Sequence, residues 1–339
     1  MADFIYPNNM EIREIAQDLL PRLQEDRVIF DLMPIVETNA DLIMWRQRDN
    51  FEGLQQFRGM NGKPGRVNRI GANEYIVKPG YYGEWEAIQE DELTRRAALA
   101  PLGQPVDIAD LVLECQTHLM ERELDVIEYI GWQLLLNGTF SVADGAGVVM
   151  HTDTFSVQTY SAAVTWSATA TAAPLKDLRA MKLLHRGHSV SFGRESTLYM
   201  NQNWVNQALN NANANDLGGK RLQYGSNVLT IDQFNQILME NDLPTVVPYD
   251  EGYFDESGTF HLFIPDAEAV LVGKRRDGSP VANYHLTRNA QNPNCAPGAY
   301  SFVKDTADDN EPPREIIVHR GHNGGPSIPY PSAVVSAAL

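Results

Sequence analysis

The chain has 339 residues, 43% of them hydrophobic, and a formal net charge of −17. That length allows a core of ordinary size and about two domains. With that acidic balance most of the surface would repel DNA or RNA, whose partners are basic where they bind.

The start, MADFIYPNNMEIREIAQ, does not read as a secretory signal, and no apolar run reaches the roughly 18 residues of a membrane helix. Cys115 and Cys295 match no metal spacing, and this usage fits synthesis in a reducing cytosol.

Residues 1–39 read as an arm. Met10 to Leu20 forms a short amphipathic helix that Pro21 breaks, and Val28 to Val36 runs extended and apolar, kept from helix by Pro34. Residues 40–95 read as a long β-hairpin. One strand starts at Asp41 to Arg48, the return is Ala72 to Lys78, and a Gly-rich polar loop lies between. Pro79 to Gly83 then turns the chain. Residues 41–80 carry seven bases against four acids, whereas residues 81–140 carry twelve acids against three bases. A basic projection followed by an acidic stretch suggests two surfaces made to meet.

Asp107 to Leu136 is read as one unbroken helix of roughly 45 Å. Asp107 caps it, Asp110 sits in the first turn where the helix dipole favours a carboxylate, and Asn137-Gly138 stops it. Glu114, His118, Glu121, Asp125 and Glu128 recur at steps of four and three and form an acidic edge. Cys115 lies on the apolar stripe as a small hydrophobe. After the helix, Gly145 to Phe155 and Tyr160 to Thr171 read as strands. Pro174 to Leu184, Gln202 to Asn211 and a Thr-capped Thr230 to Asn241 read as helices. Ser196 to Met200, Thr245 to Tyr249, Phe260 to Pro265, Ala267 to Val272, Glu315 to His319 and Ser332 to Leu339 are extended. The pattern is α+β and does not alternate as a doubly wound sheet does.

This order of parts resembles the tailed-bacteriophage major capsid proteins of the lambda-like branch, the phage major capsid protein E family, whose fold is the Hong Kong 97 type. The resemblance is carried by Tyr75-Ile76-Val77-Lys78-Pro79-Gly80, by Glu92-Leu93-Thr94-Arg95-Arg96, by Ile264-Pro265-Asp266 ahead of Ala269 to Gly273, and by the small-apolar ending Ala333 to Leu339. It spans nearly the whole chain through order and spacing, without one specific motif.

It implies an N-terminal arm (1–39), an extended loop (40–95), a peripheral domain with the spine helix (96–173), an axial domain (174–290) and a return to the peripheral domain (291–339). It implies hexamers and pentamers closing into an icosahedral head around double-stranded DNA, assembled in the host cytoplasm, with a portal protein as partner and the presence of a decoration protein left open. Because no long helical segment precedes the arm, a separate scaffolding protein is expected. The intersubunit contact is expected between Arg58, Lys63, Arg66 and Arg69 on the loop and Glu114, Glu121, Asp125 and Glu128 on the helix of the next subunit.

His-Arg-Gly-His occurs at His185–His188 and again at His319–His322, which raises a soluble metal-dependent hydrolase as the alternative. The spacing is not a helical i, i+4 pair and no HExxH is present, so two surface turns are the plainer reading. The acidic edge lacks the Glu-x-x-His ligands and the four facing helices of a di-metal site. No phosphate loop, dinucleotide loop or nucleophile elbow is present. No catalytic residue, metal or cofactor is therefore expected. The scattered tryptophans, Trp45, Trp85, Trp132, Trp166 and Trp204, are expected to be core and interface anchors.

Overall fold

The computed structural model describes residues 4–48, 54–55, 57–58, 60, 62–63, 72–101, 104–143, 148–188, 190–211, 229–255, 257–275, 277–309 and 313–339. The chain opens with β1 (Phe4–Ile5), α1 (Asn9–Gln24), the single turn α2 (Ile29–Leu32) and β2 (Ile35–Glu37). The strands β3 (Ile43–Arg48) and β4 (Ala72–Val77) flank residues 49–71, and β5 (Gly80–Ile88), α3 (Glu90–Leu99) and β6 (Val106–Asp107) lead into α4 (Ala109–Asn137). A hairpin of β7 (Thr139–Ala143) and β8 (Val149–Thr154) follows, then β9 (Gln158–Ser161) and α5 (Pro174–Leu183). Next come β10 (Val190–Ser191), β11 (Thr197–Met200), α6 (Gln202–Leu209), α7 (Ile231–Glu240), β12 (Thr245–Pro248), β13 (Gly252–Phe254) and β14 (Phe260–Leu262). The last strands are β15 (Glu268–Val272), β16 (Lys274–Arg275), β17 (Asn283–Leu286), β18 (Tyr300–Asp305), β19 (Ile316–Ser327) and β20 (Val334–Ala338).

Two five-stranded sheets share α4 as a common support. In the first, β19 pairs antiparallel with β18 on one edge and β5 on the other. Its far end pairs with β17, which in turn pairs with β2 of the arm. In the second the order is β12-β11-β15-β20-β9, so the last strand of the chain sits between β15 and β9. The first half of α4 buries Val112, Cys115 and Leu119 in a smaller core with α1, β5 and β18–β19. Its second half buries Ile127, Ile130, Trp132 and Leu134 to Leu136 in the main core. Each large side chain so buried contributes about 1.5–3 kcal/mol.

The spine helix is close to its expected span. Asp107 Oδ1 accepts the Ala109 N–H at 3.0 Å, Asp110 lies in the first turn, and Gly138 closes the helix in the left-handed region at φ +62°. The hairpin register also follows its side chains. Trp45 stacks on Tyr75 directly across the strands at 5.4 Å between centroids, and Ile43 and Val77 are buried beneath.

Other expectations are corrected. Pro21 does not break α1, which runs from an Asn8–Glu11 capping box through to Gln24. Buried Ile12 and Ala16 hold its inner face, so packing offsets the missing backbone donor. The arm is not extended from Val28: Ile29–Leu32 forms a helical turn, and only Ile35–Glu37 is a strand. Pro79 to Gly83 is not a turn, because Gly80 begins β5. The strand expected from Gly145 to Phe155 is the second half of a hairpin, and Ala162 to Thr171 forms turns around buried Trp166. Strands β17 and β18 were not foreseen, and β19 is 12 residues long.

Candidate functional site

Two features of α4 concentrate its charged residues: an outer edge, and a buried group against β19. On the outer edge Glu114 and Glu121 are exposed and have no ion pair among the described residues. Their neighbours are engaged within the chain. His118 Nδ1 is 2.9 Å from Glu86, and Arg122 grips Glu84 through two hydrogen bonds of 2.5 and 2.6 Å. The Arg122 hydrogen bond holds the Glu84 carboxyl below the usual carboxylate range, against a smaller opposing effect of burial.

Asp125 and Glu128 leave the expected acidic edge. Arg27, from the segment between α1 and α2, reaches Asp125 at 2.6 Å and Glu128 at 3.0 Å. Glu128 is only 1% exposed and also accepts from Trp132 Nε1 at 3.3 Å and from the Tyr249 hydroxyl. Burial raises its pKa, while Tyr249, Arg27 and Trp132 oppose the rise. The helical steps of four and three drift around the axis, so the C-terminal members of the stripe rotate into the arm and the main core. The contact partner of these two carboxylates is therefore the arm of their own subunit.

The basic half of the expected contact lies in the extended segment between β3 and β4. Arg58 and Lys63 are exposed, and Arg58 Nη1 donates to the Gly62 carbonyl at 3.2 Å. Arg66 and Arg69 lie outside the described residues. The same segment presents Leu54, Phe57 and Met60, which are 96%, 97% and 97% exposed. Three apolar side chains left in water on one projection mark a surface made to be covered. Within the chain the structure does not bring Arg58 or Lys63 to Glu114 or Glu121; no ion pair joins them.

The buried group escaped the sequence reading. Glu123 on α4 faces β19, where it forms an ion pair with Arg320 and lies 3.0 Å from His322 Nδ1 without hydrogen-bond geometry. The three side chains are 8%, 5% and 1% exposed. His322 Nε2 is 2.9 Å from the Tyr284 hydroxyl, and the ring stacks on Tyr82. Burial alone would raise the Glu123 pKa, but the charges of Arg320 and His322 outweigh it and hold the carboxyl at about 2. A signal was present: Val112, Gln116, Leu119, Glu123, Ile127 and Ile130 form one helical face. Its two polar members are buried with partners, Gln116 Oε1 accepting from Ser301 at 2.6 Å.

The second His-Arg-Gly-His segment is thus not a surface turn but the centre of β19. The first, His185 to His188, does form turns after α5. Among the described residues no group of three His, Cys, Asp or Glu side chains is placed to hold a metal ion. The buried triad is an ion-pair network that ties the spine helix to the sheet. Cys115 is buried as a small hydrophobe, its thiol pushed up to about 12 by burial and by Glu86, Glu114 and Glu92.

A family model described as phage major capsid protein E matches residues 33–318. No curated protein sequence matches the chain. Among solved structures, the protein assigned as a prophage capsid protein of Escherichia coli CFT073 is similar with a TM-score of 0.55 and 11% identity, over 96% of this chain and 98% of that one. A phage-related protein of Bordetella bronchiseptica RB50 is similar at 0.54 and 13%, over 95% of both chains. The mature capsid of bacteriophage PhiM1 is similar at 0.51 and 8%, over 92% of this chain and 86% of that one.

Proposed function

This chain belongs to the phage major capsid protein E family, and from that membership we infer that it is the structural major capsid protein of a phage head. Its role is structural rather than enzymatic. The observation that carries the reading is the family match over residues 33–318, supported by the Hong Kong 97-like arrangement of arm, extended loop, spine helix and two sheets.

In the proposed assembly many copies form hexamers and pentamers that close into an icosahedral shell around double-stranded DNA. Residues 1–39 act as the arm, 40–95 as the extended loop, 96–173 and 291–339 as the peripheral domain and 174–290 as the axial domain, except that β9 and β20 pair into the sheet of β11, β12 and β15, and β17 into the sheet of β19. The loop lies over the spine helix of the next subunit, with Arg58, Lys63, Arg66 and Arg69 opposite Glu114 and Glu121. The exposed Leu54, Phe57 and Met60 supply the apolar part of that contact, which the sequence reading had assigned to charge alone. An acidic wall suits a container that must not trap its DNA. Assembly in the host cytoplasm with a separate scaffolding protein and a portal completes the proposal.

Electron microscopy of the purified chain tests it. Rings, irregular shells or heads are expected, and a protein that stays monomeric at every concentration overturns the reading. Uniform, correctly sized shells from the chain alone would remove the need for a scaffold.

A further inference from the structure

The second sheet carries opposite charges on its two sides. Trp132 of α4 packs against Tyr199 of β11 at 5.6 Å, so Tyr199 and its register partners Val270, Ser336 and Thr159 face α4. Side chains alternate along a strand, so Tyr160 faces the other way. The Tyr160 hydroxyl donates to Asp177 of α5 at 2.7 Å. Helix α5 therefore covers the face opposite α4.

Its inner side buries Leu175, Leu178 and Met181, and its outer side exposes Lys176 and Arg179, with Arg186 exposed just beyond its end. None of the three has an ion pair among the described residues. Residues 174–194 hold five Lys or Arg and a single acid, Asp177, in a chain of net charge −17.

The hairpin β13–β14 belongs to the α4 side, since Tyr253 packs edge-on against Tyr129 of α4 at 5.3 Å. Among the described residues it pairs with no further strand, and a two-stranded ribbon is marginal alone. Phe254 and Phe260, paired directly across it, are 71% and 46% exposed. Residues 250–268 hold six acids and no Lys or Arg, and Glu251 is exposed.

We propose that the α5 face of one subunit docks on the β13–β14 hairpin of a second copy, as the repeating head-to-tail contact within its rings. The two patches sit on opposite sides of one sheet, so they cannot meet within a chain. They are complementary rather than alike, which is the property of a heterologous contact that closes into rings. The cations meet the acidic ribbon and steer approach, and the Phe254–Phe260 pair supplies apolar area beside Leu183, itself 48% exposed. The inference rests on the capsid reading and deepens it by naming a contact surface.

The test compares the wild type with Lys176→Glu/Arg179→Glu, with Glu251→Lys/Phe254→Lys, and with all four changes in one chain. Light scattering gives the concentration at which assembly begins, electron microscopy its form, and thermal melting the state of the subunit. Each pair alone should raise the onset concentration roughly tenfold without shifting the melt, and the fourfold chain should recover to within about threefold of the wild type. Either pair assembling at the wild-type concentration overturns the contact, as does a fourfold chain no better than its parents. Normal assembly of the α5 variant with loss of co-purified DNA also overturns it and makes α5 a nucleic-acid surface. A wild type that never assembles overturns the capsid reading itself.

Discussion

Glu123 shows how one buried charge is tolerated. The desolvation cost of a carboxylate at 8% exposure is offset only because Arg320 and His322 lie against it. The sign of the pH effect follows from its depressed pKa. The folded carboxyl titrates at about 2 against 4.5 when unperturbed, so its stabilising contribution is complete above about 4.5 and is lost as the pH falls toward 2. Urea unfolding of the subunit between pH 7 and pH 2.5 should show that loss. Glu123→Gln should destabilise by about 3–5 kcal/mol at pH 7, because it strands Arg320 without a counter-charge. The variant should also show a flatter acid limb, and an unchanged limb would mean that other carboxylates set the acid response.

At the scale of the element, the arm is seated by a notch in α4. Gly131 lies where Ile29 and Met33 press on the helix, and a Cβ there would come within 2.7 Å of both. A glycine inside a helix costs about 1 kcal/mol relative to alanine, and here it admits two fully buried side chains. Gly131→Leu should lift α2 off the helix, read as new protease cleavage between residues 25 and 38 while the sheets stay protected. Cleavage at the wild-type rate would show that the arm is held elsewhere, for instance by Arg27. The helix end is equally constrained. Gly138→Ala should cost more than about 1 kcal/mol in thermal unfolding, since φ is +62° and the new Cβ would meet the Phe155 carbonyl at 2.3 Å. By local propensity Pro21 reads as a helix breaker, but tertiary packing overrides it, and packing likewise explains the glycine at position 131.

Across the whole molecule, the net charge of −17 makes copies repel one another unless local patches are matched. Reversing Glu114 and Glu121 to Lys should weaken assembly and reduce its salt sensitivity, with no change in subunit melting, because neither has an ion-pair partner among the described residues of the chain. Exposed pairs contribute only about 0–1 kcal/mol each, so the effect grows from repetition around the shell. Normal shells with unaltered salt response would dismiss the proposed loop-to-helix pairing. Reversing Asp125 and Glu128 instead would strike at Arg27 and the arm, and so would test folding rather than assembly.

The α+β class, the spine helix to within two residues at each end, and the pairing of β3 with β4 are legible in the sequence. Each of these rests on interactions between near neighbours or on a pattern that repeats locally: the Asp107 carboxylate on the first helical N–H, although Ile108 and not Asp107 is the N-cap, the Gly138 stop, and the alternation that sets Trp45 against Tyr75. Only the tertiary structure decided that the second His-Arg-Gly-His segment is a buried strand, that Pro79 to Gly83 opens into β5, and that Asp125 and Glu128 belong to the arm. Those outcomes depend on partners far along the chain: β17 and β19 pair residues 38 to 44 apart, and β5 and β19 pair residues 228 to 244 apart. A glycine- and histidine-rich run such as His319 to Gly325 has weak strand propensity of its own. It becomes a strand because three others satisfy its backbone and α4 supplies Glu123 to its only arginine.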